Sequence, residues 1–98
     1  MKVSIRGTTG EFAEDKDAAA RMRTESIEPA LDRGESVTLD FSGVRLTTQS
    51  FIHALISGPL RKHGESALEH LEFKSCSKLV RGIVETVVQY SLETIDEP

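Results

Sequence analysis

Hydrophobic and polar positions change period several times along the chain, and each change marks an element. Residues 2–6, "KVSIR", alternate polar and apolar and predict a short strand, with "GTTG" at 7–10 as the turn after it. A polar helix is expected from about Asp15 to Arg33, with Asp15 and Asp17 in its first turn, where the helix dipole favours negative charge, and Gly34 as its terminator. Its apolar stripe (Ala19, Met22, Ile27, Ala30, Leu31) is thin, and Pro29, which lacks an amide hydrogen, kinks the helix or splits it there. "SVTLDF" at 36–41 sets Val37, Leu39 and Phe41 against Thr38 and Asp40, the clearest strand in the chain. A Gly turn and a second short extended piece ending near Thr47 follow in "SGVRLTTQS". From Gln49 onward the spacing becomes four: Phe51 with Leu55, and Ile52 with Ile56 and Leu60. This predicts an amphipathic helix to about His63, challenged by "SGP" at 57–59 and ended by Gly64. "LEHLEFKS" at 68–75 reads as a third strand through Leu71 and Phe73. Leu79, Ile83, Val87 and Val80, Val84, Val88 then repeat every four residues, giving a last helix with Ser75 or Ser77 as its N-cap. So many β-branched residues in a helix mean that burial rather than propensity holds it. The acidic tail "ETIDEP" at 93–98 is open to fraying.

The alternation of strands with helices implies a small α/β domain. Its sheet is expected to be mostly parallel or mixed, with 3–4 strands packed against about three helices and joined by right-handed crossovers. The pattern leaves open whether the helices cover one face or both. Ninety-eight residues make a single domain, residues 1–98, with room for one core but not for a large substrate cavity as well. The formal net charge is −4, and it is spread along the chain. Residues 1–40 carry 6 basic and 9 acidic side chains, and residues 41–98 carry 6 and 7. With no basic arm, nucleic acid and anionic membranes are poor electrostatic partners. The single cysteine, Cys76, can form neither an internal disulfide nor a Cys-rich zinc site. The first residues, "MKVSIRGTTGEF", hold no apolar signal core, and nowhere do eighteen apolar residues run together. The expected location is the cytoplasm.

Candidate chemistry is sparse. His53, His63 and His70 have no i, i+4 partner and no HExxH arrangement, and His53 is expected on the solvent face opposite Phe51 and Leu55. "SCSK" at 75–78 has the Ser-x-x-Lys spacing without the companion motifs of that enzyme class, and "GTTG" lacks the ending of a phosphate-binding loop. Cys76 lies near the positive end of the last helix, which would lower a thiol pKa, but a small packed residue is its simpler role. Arg61, Lys62 and His63 suit the negative end of a helix. No catalytic constellation, metal site or cofactor is expected, and the chain does not read as an enzyme.

The distinctive stretch is "VTLDFSGVRLTTQSFIHAL", residues 37–55: a strand, a Gly turn, a short extended piece, and a hydroxyl-rich loop opening an amphipathic helix. It resembles the STAS domain, the fold of bacterial anti-sigma-factor antagonists. It is closer still to a STAS-like family of unknown function whose hallmark is a "DFSGV" strand end followed by a Ser-Phe pair. The resemblance spans about residues 15–92 and implies a single small STAS-like domain. In the antagonists a serine of an Asp-Ser-Ser-Gly loop is phosphorylated by a histidine-kinase-like ATPase that is also the anti-sigma factor. Carried onto this chain, Thr48 falls where the Asp is expected, Gln49 and Ser50 take the serine pair, and Phe51 replaces the glycine. Ser50 alone keeps the phosphoacceptor's residue type.

Ser50 also stands out physically. At the start of a helix, unpaired amides and the dipole stabilise an anion, and a phosphate would add about −1.5 to −2 charge at pH 7. The plainer reading is that Ser50, Thr48 or Thr47 caps the helix. Asp40 and Arg45 flank the loop, as ordinary solvated charges, as a pair, or as part of a partner surface with Thr47, Thr48 and Gln49. The resulting expectation is a non-catalytic signalling module that binds a protein partner. The alternative is a small-ligand or nucleotide sensor using the helix N-terminus at Ser50. The Val-rich last helix leaves room for a homodimer if its stripe is wider than the core needs.

Overall fold

A computed structural model describes residues 1–95, with side chains to residue 93. Its framework is a three-stranded, all-parallel sheet of β1 (Lys2–Ser4), β3 (Val37–Asp40) and β5 (Leu71–Lys74), with β3 in the middle. Val3 lies beside Leu39 and Leu39 beside Phe73, while Ser4, Asp40 and Lys74 form the next row. One face therefore collects Val3, Val37, Leu39, Leu71 and Phe73. The other carries Lys2, Ser4, Thr38, Asp40, Glu72 and Lys74, all exposed or half-buried. All-parallel sheets are usually covered on both faces. This one keeps a polar face open, which answers the question the periodicity left.

A second, two-stranded parallel sheet pairs β2 (Phe12–Ala13) with β4 (Leu46–Thr47). The short extended piece expected to end near Thr47 is β4, whereas β2 carries no periodic signal. The strand expected at 2–6 stops at Ser4, and Ile5–Thr9 is a short helix, α1. Ser4 is its N-cap, accepting the Gly7 amide at 3.2 Å, and Gly10 ends it at φ +73°. The "GTTG" turn is thus mostly helical.

The helix expected over 15–33 forms and is split. Asp15 caps α2 (Lys16–Met22) by accepting the Asp17 amide at 2.9 Å, and α3 covers Glu28–Asp32. Between them Arg23–Ile27 is a π-helical turn in which the Glu28 amide reaches the Arg23 carbonyl, five residues back. Two features of the sequence ask for it. Pro29 cannot donate to the Glu25 carbonyl, and the buried positions Met22 and Ile27 are five apart rather than four.

α4 (Gln49–His63) matches its expected span and carries Pro59 inside it. Its buried face (Phe51, Ile52, Leu55, Ile56, Leu60) is fully enclosed, and it packs chiefly against α6 (Lys78–Ile95) and α2. The Arg23 guanidinium donates to the Ala54 carbonyl at 3.1 Å, next to the Leu55 carbonyl that Pro59 cannot serve. The strand expected over 68–75 is half helix: α5 occupies Glu65–His70 and only Leu71–Lys74 is β5. Ser77, not Ser75, caps α6, accepting the Val80 amide at 3.2 Å. α6 continues to Ile95, and the rest of the tail expected to fray, residues 96–98, lies outside the described residues. Among the described residues no helix is long and apolar enough to cross a membrane.

Candidate functional site

The motif that carries the resemblance is a sequence of backbone obligations. Asp40, at the end of β3, accepts the Ser42 amide at 2.9 Å and starts the turn. Phe41 drops into the core with no exposed surface, and the Val44 amide closes back on the Phe41 carbonyl at 2.9 Å. Gly43 sits at φ +79°, a left-handed backbone that favours glycine, and the end of the Arg6 side chain lies against it, where a Cβ would push that flexible chain aside. Buried Val44 then leads into β4, and just ahead of the two paired strands the Arg45 amide donates to the Glu11 carbonyl at 2.8 Å.

The two threonines that follow part ways. Thr47 is buried, and its hydroxyl donates to the Ala13 carbonyl at 2.8 Å. It belongs to the β2–β4 seam and not to the outward surface expected of it, because its side chain is enclosed by the strand it bonds. Thr48 is the N-cap of α4, its hydroxyl accepting the Phe51 amide at 3.0 Å. Gln49 and Ser50 are therefore the first two residues of the helix, both exposed, with amides that lack intrahelical acceptors. With the cap supplied by Thr48, the Ser50 hydroxyl faces outward. Phe51 is core, as its place in the stripe implied.

Asp40 and Arg45 do not pair with each other. Asp40 meets Lys2 at 3.3 Å, and Arg45 reaches Glu11 at 4.0 Å. The Ser42 amide, and after it Lys2, hold the Asp40 carboxyl below the usual carboxylate range. Both residues precede β4, and neither lines the groove that holds Ser50.

What lies beside Ser50 is a groove of about 500 Å³ between the starts of α2 and α4 and the middle of α6. Lys16, His53, Ala54, Val87 and Tyr90 line it with Ser50. His53, expected on the solvent face, is half-buried here because α2 and α6 flank that side of α4; its Nδ1 lies 3.4 Å from the Ser57 hydroxyl. Lys16 and Tyr90 were not legible as site residues. They come from elements tens of residues away in sequence, and only tertiary packing brings them to Ser50.

The remaining candidates fall outside this groove. Cys76 is half-buried, and burial raises its thiol pKa, outweighing Arg81 and reversing the shift expected from a helix N-terminus. Lys62 and His63 both reach Asp32, at 2.9 and 3.2 Å, joining the ends of α3 and α4. Their carboxylate partner is held low, chiefly by the Lys62 hydrogen bond. Among the described residues no group of three His, Cys, Asp or Glu side chains could hold a metal ion.

No curated protein and no solved structure matches the chain significantly. The family described as the STAS-like domain of unknown function (DUF4325) matches residues 18–81, from the middle of α2 through the DFSGV turn to the first residues of α6. The small α/β fold, the turn chemistry and this match agree, and the chain belongs to that STAS-like family.

Proposed function

We propose that this domain is a non-catalytic interaction module of the cytoplasm, and that its partner surface is the start of α4 with the groove beside it. Ser50 is the regulated position on that surface. The observation that supports this reading is the division of labour at 47–50: Thr47 and Thr48 take the structural hydrogen bonds, and Ser50 is left exposed. A phosphoryl group on Ser50 would meet the positive end of a 15-residue helix, with Lys16 on the wall of the same groove. The backbone need not move. The outward charge would change by about −1.5 to −2, enough to repel a partner that docks on the neutral form. By its resemblance to the anti-sigma-factor antagonists, that partner is a histidine-kinase-like ATPase.

The test is capture from the native host with the full chain and its Ser50→Glu variant as paired baits, with mapping of Ser50 phosphorylation on the endogenous protein. An ATPase of that type held by wild type and released by the variant is the expected result. Equal retention by both baits would reduce Ser50 to a surface residue. The groove itself favours a second reading, a small anionic ligand or nucleotide seated against Lys16 and the α4 amides. Nucleotide-dependent protection against heat, lost in Lys16→Ala, would select it.

A further inference from the structure

β5 ends the sheet: among the described residues no strand pairs with its outer edge. The Phe41 amide donates to the Lys74 carbonyl, so Lys74, and by alternation Glu72, turn their peptide groups inward to β3. Leu71 and Phe73 then turn theirs outward. Directly behind this edge lies an apolar groove of about 520 Å³ between β5 and α6, lined by Leu68, Phe73, Cys76, Val84, Val88 and Leu92. An open strand edge beside an apolar groove is the place for one more strand.

We infer that the occupant is the β5 strand of a second copy, paired antiparallel across a two-fold axis at Phe73 to make one continuous six-stranded sheet. The charge pattern singles out that occupant. Antiparallel pairing centred on Phe73 sets Glu72 against Lys74 of the second copy, and Lys74 against its Glu72, on the open polar face. Both side chains are exposed, and among the described residues neither forms a close ion pair within its own chain; Lys74 acts on Asp40 of the next strand only at longer range. The same register places the two outward-facing Phe73 peptide groups opposite each other, as an antiparallel hydrogen-bonded pair requires. It also brings the two half-buried Phe73 rings together on the apolar side, where the two grooves close on one another. The rim repeats the logic: Arg81 and Glu85, four apart on α6, offer both signs to a helix passing in the opposite direction. Ser75, at φ +60°, turns the chain away after Lys74 and limits the pairing to β5.

The test is sedimentation of the full chain from micromolar to about 1 mM, the concentration of a weak but specific dimer. The wild type should reach twice 10.8 kDa. Glu72→Lys and Lys74→Glu, both at exposed positions and checked for folding by circular dichroism, should each weaken association about tenfold by setting like charges opposite. The double variant Glu72→Lys/Lys74→Glu should recover it, because the swap restores opposite signs across the axis. The Phe73 amide should exchange more slowly as concentration rises. A monomer throughout, a double variant as weak as the singles, or a Phe73 amide indifferent to concentration would each overturn the assignment.

Discussion

The passage from β3 to α4 and the passage from β5 to α6 start alike: a strand leaves the sheet and a hydroxyl caps the next helix, Thr48 at 3.0 Å and Ser77 at 3.2 Å. They differ in what arrives from elsewhere. Between Asp40 and Thr48 the chain is met by Lys2, by Arg6 folded against Gly43, and by the β2 segment, where the carbonyls of Glu11, just before the strand, and of Ala13 within it take the Arg45 amide and the Thr47 hydroxyl. Between Lys74 and Ser77 no such strand comes in among the described residues. Ser75 holds a left-handed backbone, Cys76 is half-buried, and the sheet edge stands open. Local capping chemistry is the same in both. Long-range pairing makes one junction a rigid platform for Ser50 and leaves the other as unfilled surface.

Substitutions can break that comparison or sharpen it. The largest effect should come from Val84→Asp, 5% exposed, where an unpaired charge in the core costs several kcal/mol and leaves no folded state by circular dichroism. A folded variant would mean that α6 is held by its junction and not by its packing. Next, the junctions should respond with opposite signs in urea unfolding. Thr47→Val leaves the buried Ala13 carbonyl without its donor and should destabilise by about 1–3 kcal/mol. Ser75→Gly relieves a left-handed backbone and should stabilise by up to about 1 kcal/mol. Thr48→Ala and Ser77→Ala should then each lose about 1 kcal/mol, since the caps are equivalent. A large inequality between them would show that context reaches even the cap.

The smallest effect is one of pH. Asp40 has its folded pKa lowered, so its contribution is present above the unfolded value of about 3.9 and is lost as pH falls through the folded one. Thermal midpoints of Asp40→Asn should therefore fall less steeply than those of wild type as pH drops below about 4. The second junction has no counterpart to that loss.

Elements with long apolar repeats were legible. α4 and α6 follow from spacings of four, β3 from strict alternation, and the break in the first long helix from Pro29. What escaped was short or non-local. Leu68, Leu71 and Phe73 fit a strand and a helix end equally well, so α5 hid inside an apparent strand. β2 is two residues long, and its partner lies 34 positions away, which no window along the chain can register. The same holds for the site. Ser50 could be placed at a helix start from its neighbours, whereas the burial of Thr47 and the approach of Lys16 and Tyr90 depend on contacts between distant elements.

The π turn at Arg23–Ile27 gives the helix one residue of slack. Met22 and Ile27 both point inward although a regular helix would rotate the fifth residue away, because the wider turn takes up the surplus rotation. A chain one residue shorter between them would return to a spacing of four and present the same face to the core. Insertions and deletions elsewhere in a packed helix swing everything beyond them by about 100°. Here the phase error is already stored, so the length of this helix can change by one while the core beneath keeps its alignment.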